Sequence, residues 1–308
     1  MNTQYDYKIS VCLCTYKRPN KLAQCLESLL HQTFAQTFEV IVTDNDCEHS
    51  GEKIVEQAKK AFQNKGISLL YLVEPVQNIA LARNRSLQPA RGELVAFIDD
   101  DEHASTCWLR NLYNRLLDTN ADGVWGEVIP YIPESLPYWM RQSKLFYQPN
   151  LKQGAIMREG LRTGNALIKR KLLTMRTGPF DEALGRTGGS DSDLFIWLQK
   201  QGFKFVWAAN AEVFEKLEEK RGYLRWHLRR AYRGGWGYSR RVVKRYGARK
   251  GFILSVIRII PSTLKALRCA IMNCNNIRYA GLVLLCNIVT NLGKCGYFVD
   301  IKIEEYKG

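Results

Sequence analysis

Glu93-Leu94-Val95-Ala96-Phe97-Ile98-Asp99-Asp100-Asp101-Glu102-His103 is an apolar run that ends abruptly in a block of acids. Leu94 to Ile98 is the pattern of a strand buried on both faces of a parallel sheet. In open α/β sheets ligands bind outside the carboxyl ends of the strands, so the three aspartates fall where charge can serve chemistry. Continued extension past Ile98 would send Asp99 and Asp101 to one side and Asp100 to the other, leaving the first two to face one ligand. The bland alternative for three acids after a strand is a solvated turn.

Upstream of this stretch a second acidic strand end strengthens the functional reading. Ile9 to Cys14 reads as a strand and Thr15-Tyr16-Lys17-Arg18-Pro19-Asn20 as the loop after it. Asn20 is expected to cap a helix whose apolar residues Leu22, Cys25, Leu26, Leu29 and Leu30 share one face. Phe38 to Val42 is a further apolar strand, ending in Thr43-Asp44-Asn45-Asp46. A helix over Ile54 to Phe62, a strand over Ile67 to Val73 and a helix over Asn78 to Leu87, carrying Arg83, lead through Gly92 into the opening stretch. This alternation predicts a doubly wound, mainly parallel sheet. Neither a Gly-x-Gly-x-x-Gly nor a Gly-Lys-Ser/Thr phosphate loop is present, so a nucleotide site here must use acids and a metal. Mg²⁺ is typically held by one or two carboxylates plus substrate phosphates, which suits Asp-rich strand ends better than His or Cys chemistry.

Downstream, Ser105 is placed to cap a helix running to about Leu117, and Gly123 to Ile129 returns as a strand. Residues 130–149 are rich in Pro, Tyr and Trp, either a flap over a pocket or a packed connection. Thr163 to Ile168 is a turn and strand, Gly188-Gly189-Ser190-Asp191-Ser192-Asp193 opens a helix to about Lys200, and Phe203 to Trp207 is a strand. From Lys216 to Lys250, Lys and Arg interleave with Trp226, Tyr232, Trp236, Tyr238 and Tyr246. The expected division is residues 1–215 as an α/β domain and 216–308 as a basic, amphipathic helical region.

Totals agree with two regions, since 308 residues exceed what one core usually supports. The net charge of +15 predicts attraction to nucleic acid, an acidic membrane surface or phosphates. The nine cysteines form no Cys-x-x-Cys pair, which argues against zinc, and their odd number argues against a disulfide framework. A reducing cytoplasm fits best. The first residues lack the basic start and apolar core of a signal peptide. The uncharged stretch Tyr279 to Gly293 falls short of the ~20 apolar residues that span a bilayer, so no transmembrane helix is expected. Basic residues followed by short apolar segments instead suggest an interfacial anchor on the inner face of the cytoplasmic membrane.

Several motifs, in order, resemble those of the family 2 inverting nucleotide-sugar glycosyltransferases, which have the GT-A fold. They are Ser10-Val11 through Thr15-Tyr16-Lys17-Arg18, Val42-Thr43-Asp44-Asn45, Ala82-Arg83-Asn84, Gly92 through Asp99-Asp100-Asp101, and Gly188-Gly189-Ser190-Asp191. The pattern is most similar to transferases that build bacterial exopolysaccharide or O-antigen units on a lipid carrier. The resemblance implies a nucleoside diphosphate sugar donor, with UDP as its nucleotide, and a lipid-linked glycan acceptor. It places Thr15, Tyr16, Arg18, Asp44, Arg83, Asp99 and Asp100 around the donor, and Asp101 with Asp99 on Mn²⁺ or Mg²⁺.

Inverting transfer also needs a base opposite the leaving group, and the resemblance points to Asp191. The family usually has an acid just before this residue; here it is Ser190. Ser190 and Asp193 read as a capping box, which would assign Asp193 to structure. Arg225-Trp226 resembles part of the Arg-Trp element of processive members, but Arg221 stands one residue too early. Where some relatives supply a metal-ligating His, this chain has Val213-Phe214-Glu215, and His227 is expected on the surface. Two rival readings are a nucleic-acid binder using the basic region, which the motifs disfavour, and a sugar-phosphate nucleotidyltransferase.

Overall fold

In a computed structural model the described residues are 5–143, 145–146 and 151–303. The first half alternates as its periodicity demands: β1 (Tyr7–Thr15), α1 (Pro19–Leu30), β2 (Phe38–Asp44), α2 (Glu52–Asn64), β3 (Ser68–Val73), α3 (Ile79–Leu87) and β4 (Gly92–Phe97). Next come β5 (Glu102–Ala104), α4 (Trp108–Thr119), β6 (Gly123–Tyr131), α5 (Tyr138–Arg141), β7 (Ala166–Lys169), α6 (Arg170–Leu173), α7 (Ser190–Lys200) and β8 (Phe205–Lys216). Four helices follow: α8 (Leu224–Tyr246), α9 (Ala248–Ile257), α10 (Ile259–Met272) and α11 (Ile277–Gly296).

One eight-stranded sheet runs in the order β3-β2-β1-β4-β7-β6-β8-β5. Strands β3, β2, β1 and β4 are mutually parallel, whereas β7 runs antiparallel to both its neighbours. Side-chain alternation along the buried strands feeds two cores. Val11, Leu13, Leu94, Ala96 and Ile98 face the layer of α1, α2 and α4. Cys12, Val95 and Phe97 face the opposite layer, with Ala80, Phe180, Leu194 and Phe195. Burial on both faces explains why Leu94 to Ile98 carries no polar residue. Gly92 lets β4 lie close to β1, since a Cβ there would stand 2.4 Å from the Ser10 nitrogen.

Helix starts differ from the sequence expectation in three places. α1 begins at Pro19, with Arg18 rather than Asn20 at the N-cap, because Pro fits the first helical turn. α4 is capped at Cys107, and Ser105 instead accepts the Trp108 N–H on its carbonyl at 3.0 Å. α7 takes Gly189, at φ 96°, as its N-cap, so Ser190 is the first helical residue and no capping box forms. Part of the aromatic stretch 130–149 lies outside the described residues; within it Leu136 and Met140 are buried.

α8 and α11 cross at glycines. A Cβ on Gly235 would stand 1.8 Å from the Thr290 carbonyl oxygen, and one on Gly293 would stand 2.1 Å from that of Tyr232. α11 carries the uncharged stretch into a longer helix. The helical segment Ile277–Val299 has 23 residues, and its most apolar part reaches a mean hydropathy of 1.5, enough to cross a membrane by length and composition alone. It runs past Lys294 because that charge is absorbed: its Nζ donates to Asn291 Oδ1 at 2.8 Å and to Ser262 Oγ at 3.2 Å.

Candidate active site

After β1 the chain steps outward to β2 and β3, then crosses back so that β4 lies on the other side of β1. The carboxyl ends of β1 and β4 therefore border a topological switch point, where ligands of open α/β sheets bind. Thr15 ends β1, in register with Asp44 at the end of β2. Across the switch point Thr15 Oγ1 donates to Asp100 Oδ2 at 2.8 Å. Arg18 Nη1 donates to Asp100 Oδ1 at 3.1 Å and to Asp101 Oδ2 at 3.2 Å. Two residues missed by motif reading complete this network. Lys21 Nζ lies 3.5 Å from Asp101 Oδ2 and 2.8 Å from Glu218 Oε1, which also lies 3.3 Å from Arg18 Nη2. Lys21 stands one helical turn past the Arg18 loop, but nothing local in the sequence marks Glu218. Burial works against its charge, yet Lys21 and Lys220 pull its carboxyl down to about 2.

The aspartates do not alternate as an extended strand would. β4 ends at Phe97 and the chain reverses in a turn, with the Glu102 N–H donating to the Asp99 carbonyl at 3.0 Å. Asp100 and Asp101 consequently share Arg18, while Asp99 turns toward Glu102 and Gly164 yet stays near enough to Asp101 for that charge to act on it. Gly164 packs close to this carboxyl pair: an added Cβ there would stand 3.0 Å from Asp99 Oδ2 and 2.9 Å from Glu102 Oε1. Burial pushes Asp99 up to about 6; Arg83 and Arg162 oppose that rise, and Asp101 adds to it. Glu102, buried beside Asp99, is raised well above its ordinary range.

Asp44 is fully buried. Its Oδ2 accepts from the Gly51 N–H at 2.6 Å and the Tyr71 hydroxyl at 2.8 Å, while Oδ1 has no partner. Burial raises this carboxyl and those two bonds oppose the rise. A buried acceptor atom without a donor is costly, so Oδ1 is suited to a ligand N–H or O–H. Tyr16 follows Thr15 in the chain and is half-buried, with Lys17 Nζ 5.7 Å from its ring centre.

Arg83 is no surface arginine. Its guanidinium lies 5.6 Å from the Phe180 ring centre, and Nη1 donates to the buried Ser190 hydroxyl at 3.4 Å. Since its charge also acts on Asp99, Arg83 connects the acid cluster to the start of α7. Asp191 sits there in the first turn, half-exposed, its Oδ1 accepting from the Ser192 N–H at 2.7 Å. Asp193 pairs with Arg176 at 3.1 Å. The cation on the other flank comes from α8: Arg241 lies 3.9 Å from where a Gly189 Cβ would be, and Asp193 and Asp191 both act on it.

His227 is buried rather than exposed, because α8 turns it between the rings of Trp226 and Phe146. Burial lowers its basicity, and its Nε2 has no partner. Glu215, which stands where some relatives carry a His, is ion-paired with Arg221. Among the described residues no three His, Cys, Asp or Glu side chains converge as a ready metal site. The chemistry of the donor set nonetheless fits Mg²⁺ or Mn²⁺: hard carboxylate oxygens at Asp101 and Asp99, with substrate phosphates left to complete the shell.

The sequence model described as glycosyl transferase family 2 matches residues 10–177. Succinoglycan biosynthesis protein ExoM of Rhizobium meliloti is 32% identical over 251 residues, 80% of each chain. Glucosyl-dolichyl phosphate glucuronosyltransferase of Haloferax volcanii is 27% identical over 256 residues, 77% of each chain. Among solved structures, the mannosyltransferase PcManGT of Pyrobaculum calidifontis, in complex with GDP-Man and Mn²⁺, aligns with TM-score 0.63 at 15% identity, covering 98% of this chain and 92% of that one. S. aureus TarS 1–349 in complex with UDP aligns at 0.53 and 15% identity, covering 95% and 92%. With acid-tipped strand ends beside the switch point, a GT-A fold, and a family model matching over half of the chain, this protein belongs to glycosyl transferase family 2 and is a glycosyltransferase.

Proposed function

We propose that this enzyme is a metal-dependent, inverting transferase. It moves a hexose or N-acetylhexosamine from a nucleoside diphosphate sugar, with UDP as the nucleotide, to a lipid-linked glycan in cell-envelope polysaccharide synthesis. The observation that carries the reading is the charge network at the switch point, where Asp100 and Asp101 share Arg18 and Lys21 joins Asp101. Carboxylates and cations held together in this way supply partners for both a metal and a diphosphate. Succinoglycan and dolichyl phosphate in the names of the two relatives support a polysaccharide product and a lipid carrier.

In this reading Asp44 Oδ1 accepts from the base or ribose, and the Thr15 to Arg18 loop lies along the nucleotide with Tyr16 beside it. Arg83 and Asp99 hold the donor sugar and the near phosphate, and Asp100 fixes Thr15 and Arg18. Asp101, with Asp99, would hold Mn²⁺ or Mg²⁺, which offsets charge on the departing diphosphate when bound. Asp191 accepts the proton of the acceptor hydroxyl as its oxygen bonds to the anomeric carbon, opposite the breaking bond to the diphosphate. Residues 1–215 serve as the catalytic domain. Residues 216–308 attach it peripherally to the cytoplasmic face of the membrane through anionic headgroups.

A thermal-shift panel of UDP-glucose, UDP-galactose, UDP-N-acetylglucosamine and GDP-mannose, each with and without Mn²⁺, tests the reading. Selective stabilisation by one UDP-sugar in the presence of metal is the expected result. No response to any sugar nucleotide would overturn it.

A further inference from the structure

Lys220 to Val299 contains seventeen Lys and Arg and no Asp or Glu. Most cations of α8 are nevertheless already engaged within the protein. Arg230 lies 5.2 Å from the Trp226 ring centre, Arg233 has a partner, and just before the helix Arg221 pairs with Glu215. At the far end, Arg240 Nη1 donates to the Ala183 carbonyl at 2.9 Å and Lys244 Nζ to Asp181 at 2.8 Å, while Arg241 faces Asp193 and Asp191. Arg225 and Arg229 are different. Both are exposed, they stand one turn apart on the same face, and no ion pair or ring contact engages either among the described residues.

These two arginines border a groove of about 470 Å³ between α8 and α11. Its other lining residues are Leu224, Leu228 and Tyr232 of α8, Val289 of α11, and Ile303. The volume lies in the range of small-molecule sites, and the lining combines an apolar slot with two adjacent guanidinium groups. That combination complements a single apolar chain ending in a phosphate, because guanidinium pairs chelate phosphate oxygens. The groove is also close to the site along the chain. Glu218, bound to Lys21 at the switch point, precedes Leu224 by six residues, a reach of at most ~20 Å. On the same helical region Ile253, Ile257, Ile260, Leu264, Leu267 and Ile271 are exposed, a face suited to a bilayer that holds such a lipid.

We propose that the α8–α11 groove binds a polyprenyl phosphate, the carrier end of the acceptor. The isoprenoid lies against Leu224, Leu228, Val289 and Ile303, and the phosphate oxygens lie between Arg225 and Arg229. The inference rests on the lipid-linked acceptor of the proposed function and assigns that lipid a place.

Vesicle co-sedimentation of the full chain tests it at fixed ionic strength. Phosphatidylcholine vesicles carry either a long-chain polyprenyl phosphate or the same mole fraction of phosphatidylglycerol. The wild type is expected to prefer polyprenyl phosphate by about tenfold, and Arg225→Gln/Arg229→Gln and Leu228→Gln each to lose that preference. Equal binding of the wild type to both vesicles would show a general anionic surface and overturn the proposal. So would a preference that survives the double arginine substitution. The donor-dependent thermal shift separates this from the parent reading: a wild type without that shift refutes the transferase mechanism, whereas a lost lipid preference beside an intact shift refutes the groove alone.

Discussion

Single side chains divide the chemistry into steps that can be separated by measurement. Asp101→Ala should abolish metal-dependent stabilisation by the donor together with turnover, as read by calorimetry with and without EDTA. Asp191→Asn should bind donor as the wild type does and lose roughly 10²–10⁴-fold in kcat, the usual contribution of a general base. Retention of near wild-type kcat by that variant would refute the base assignment. Asp44→Asn keeps a carbonyl acceptor but gives up the charge, and should weaken nucleotide binding while leaving the kcat of the bound complex nearly intact, a KM-against-kcat split. The outlines of this scale were legible in the sequence. Asp44, Asp99, Asp101 and Arg83 announce themselves by following strands or recurring in ordered motifs. Glu102 does not, because its carboxylate reaches the Asp99 N–H only through the turn that follows β4.

At the scale of elements, the glycine crossing of α8 and α11 makes the sharpest demand. Gly235→Ala or Gly293→Ala would force a methyl group into a backbone carbonyl and should cost about 1–3 kcal/mol, seen as a lower Tm and earlier proteolysis between residues 224 and 296. The first half of the sheet was readable from alternating apolar runs, since strands buried on both faces and helices buried on one leave different periodicities. β8 was only partly readable: it extends to Lys216 because its second half pairs with β5 and β6, a long-range pairing that local composition does not encode. Helix starts were missed by a residue or more wherever Pro19 or a positive-φ Gly189 decided the turn.

For the whole molecule, the helical region is coupled to the sheet through charge. Glu218 is an acid whose folded-state affinity for protons is depressed to about 2, so its ion pairs contribute stability above the ordinary carboxylate range. That contribution is lost as pH falls toward about 2. Glu218→Gln should therefore melt a few degrees below the wild type at neutral pH, and the two melting curves should converge on acidification. Lys244 and Arg240 make a second connection, holding the segment before α7 that carries Asp191. The sequence by itself determined the doubly wound sheet, the acid-tipped strand ends, the family resemblance and the basic helical region, because each is written in local periodicity or ordered motifs. Only the tertiary structure decided the rest: that Asp100 and Asp101 share Arg18, that His227 is buried, and which cations of α8 are left unengaged. Those outcomes depend on which distant segments meet, and burial and ion pairing are set by that meeting rather than by neighbours along the chain.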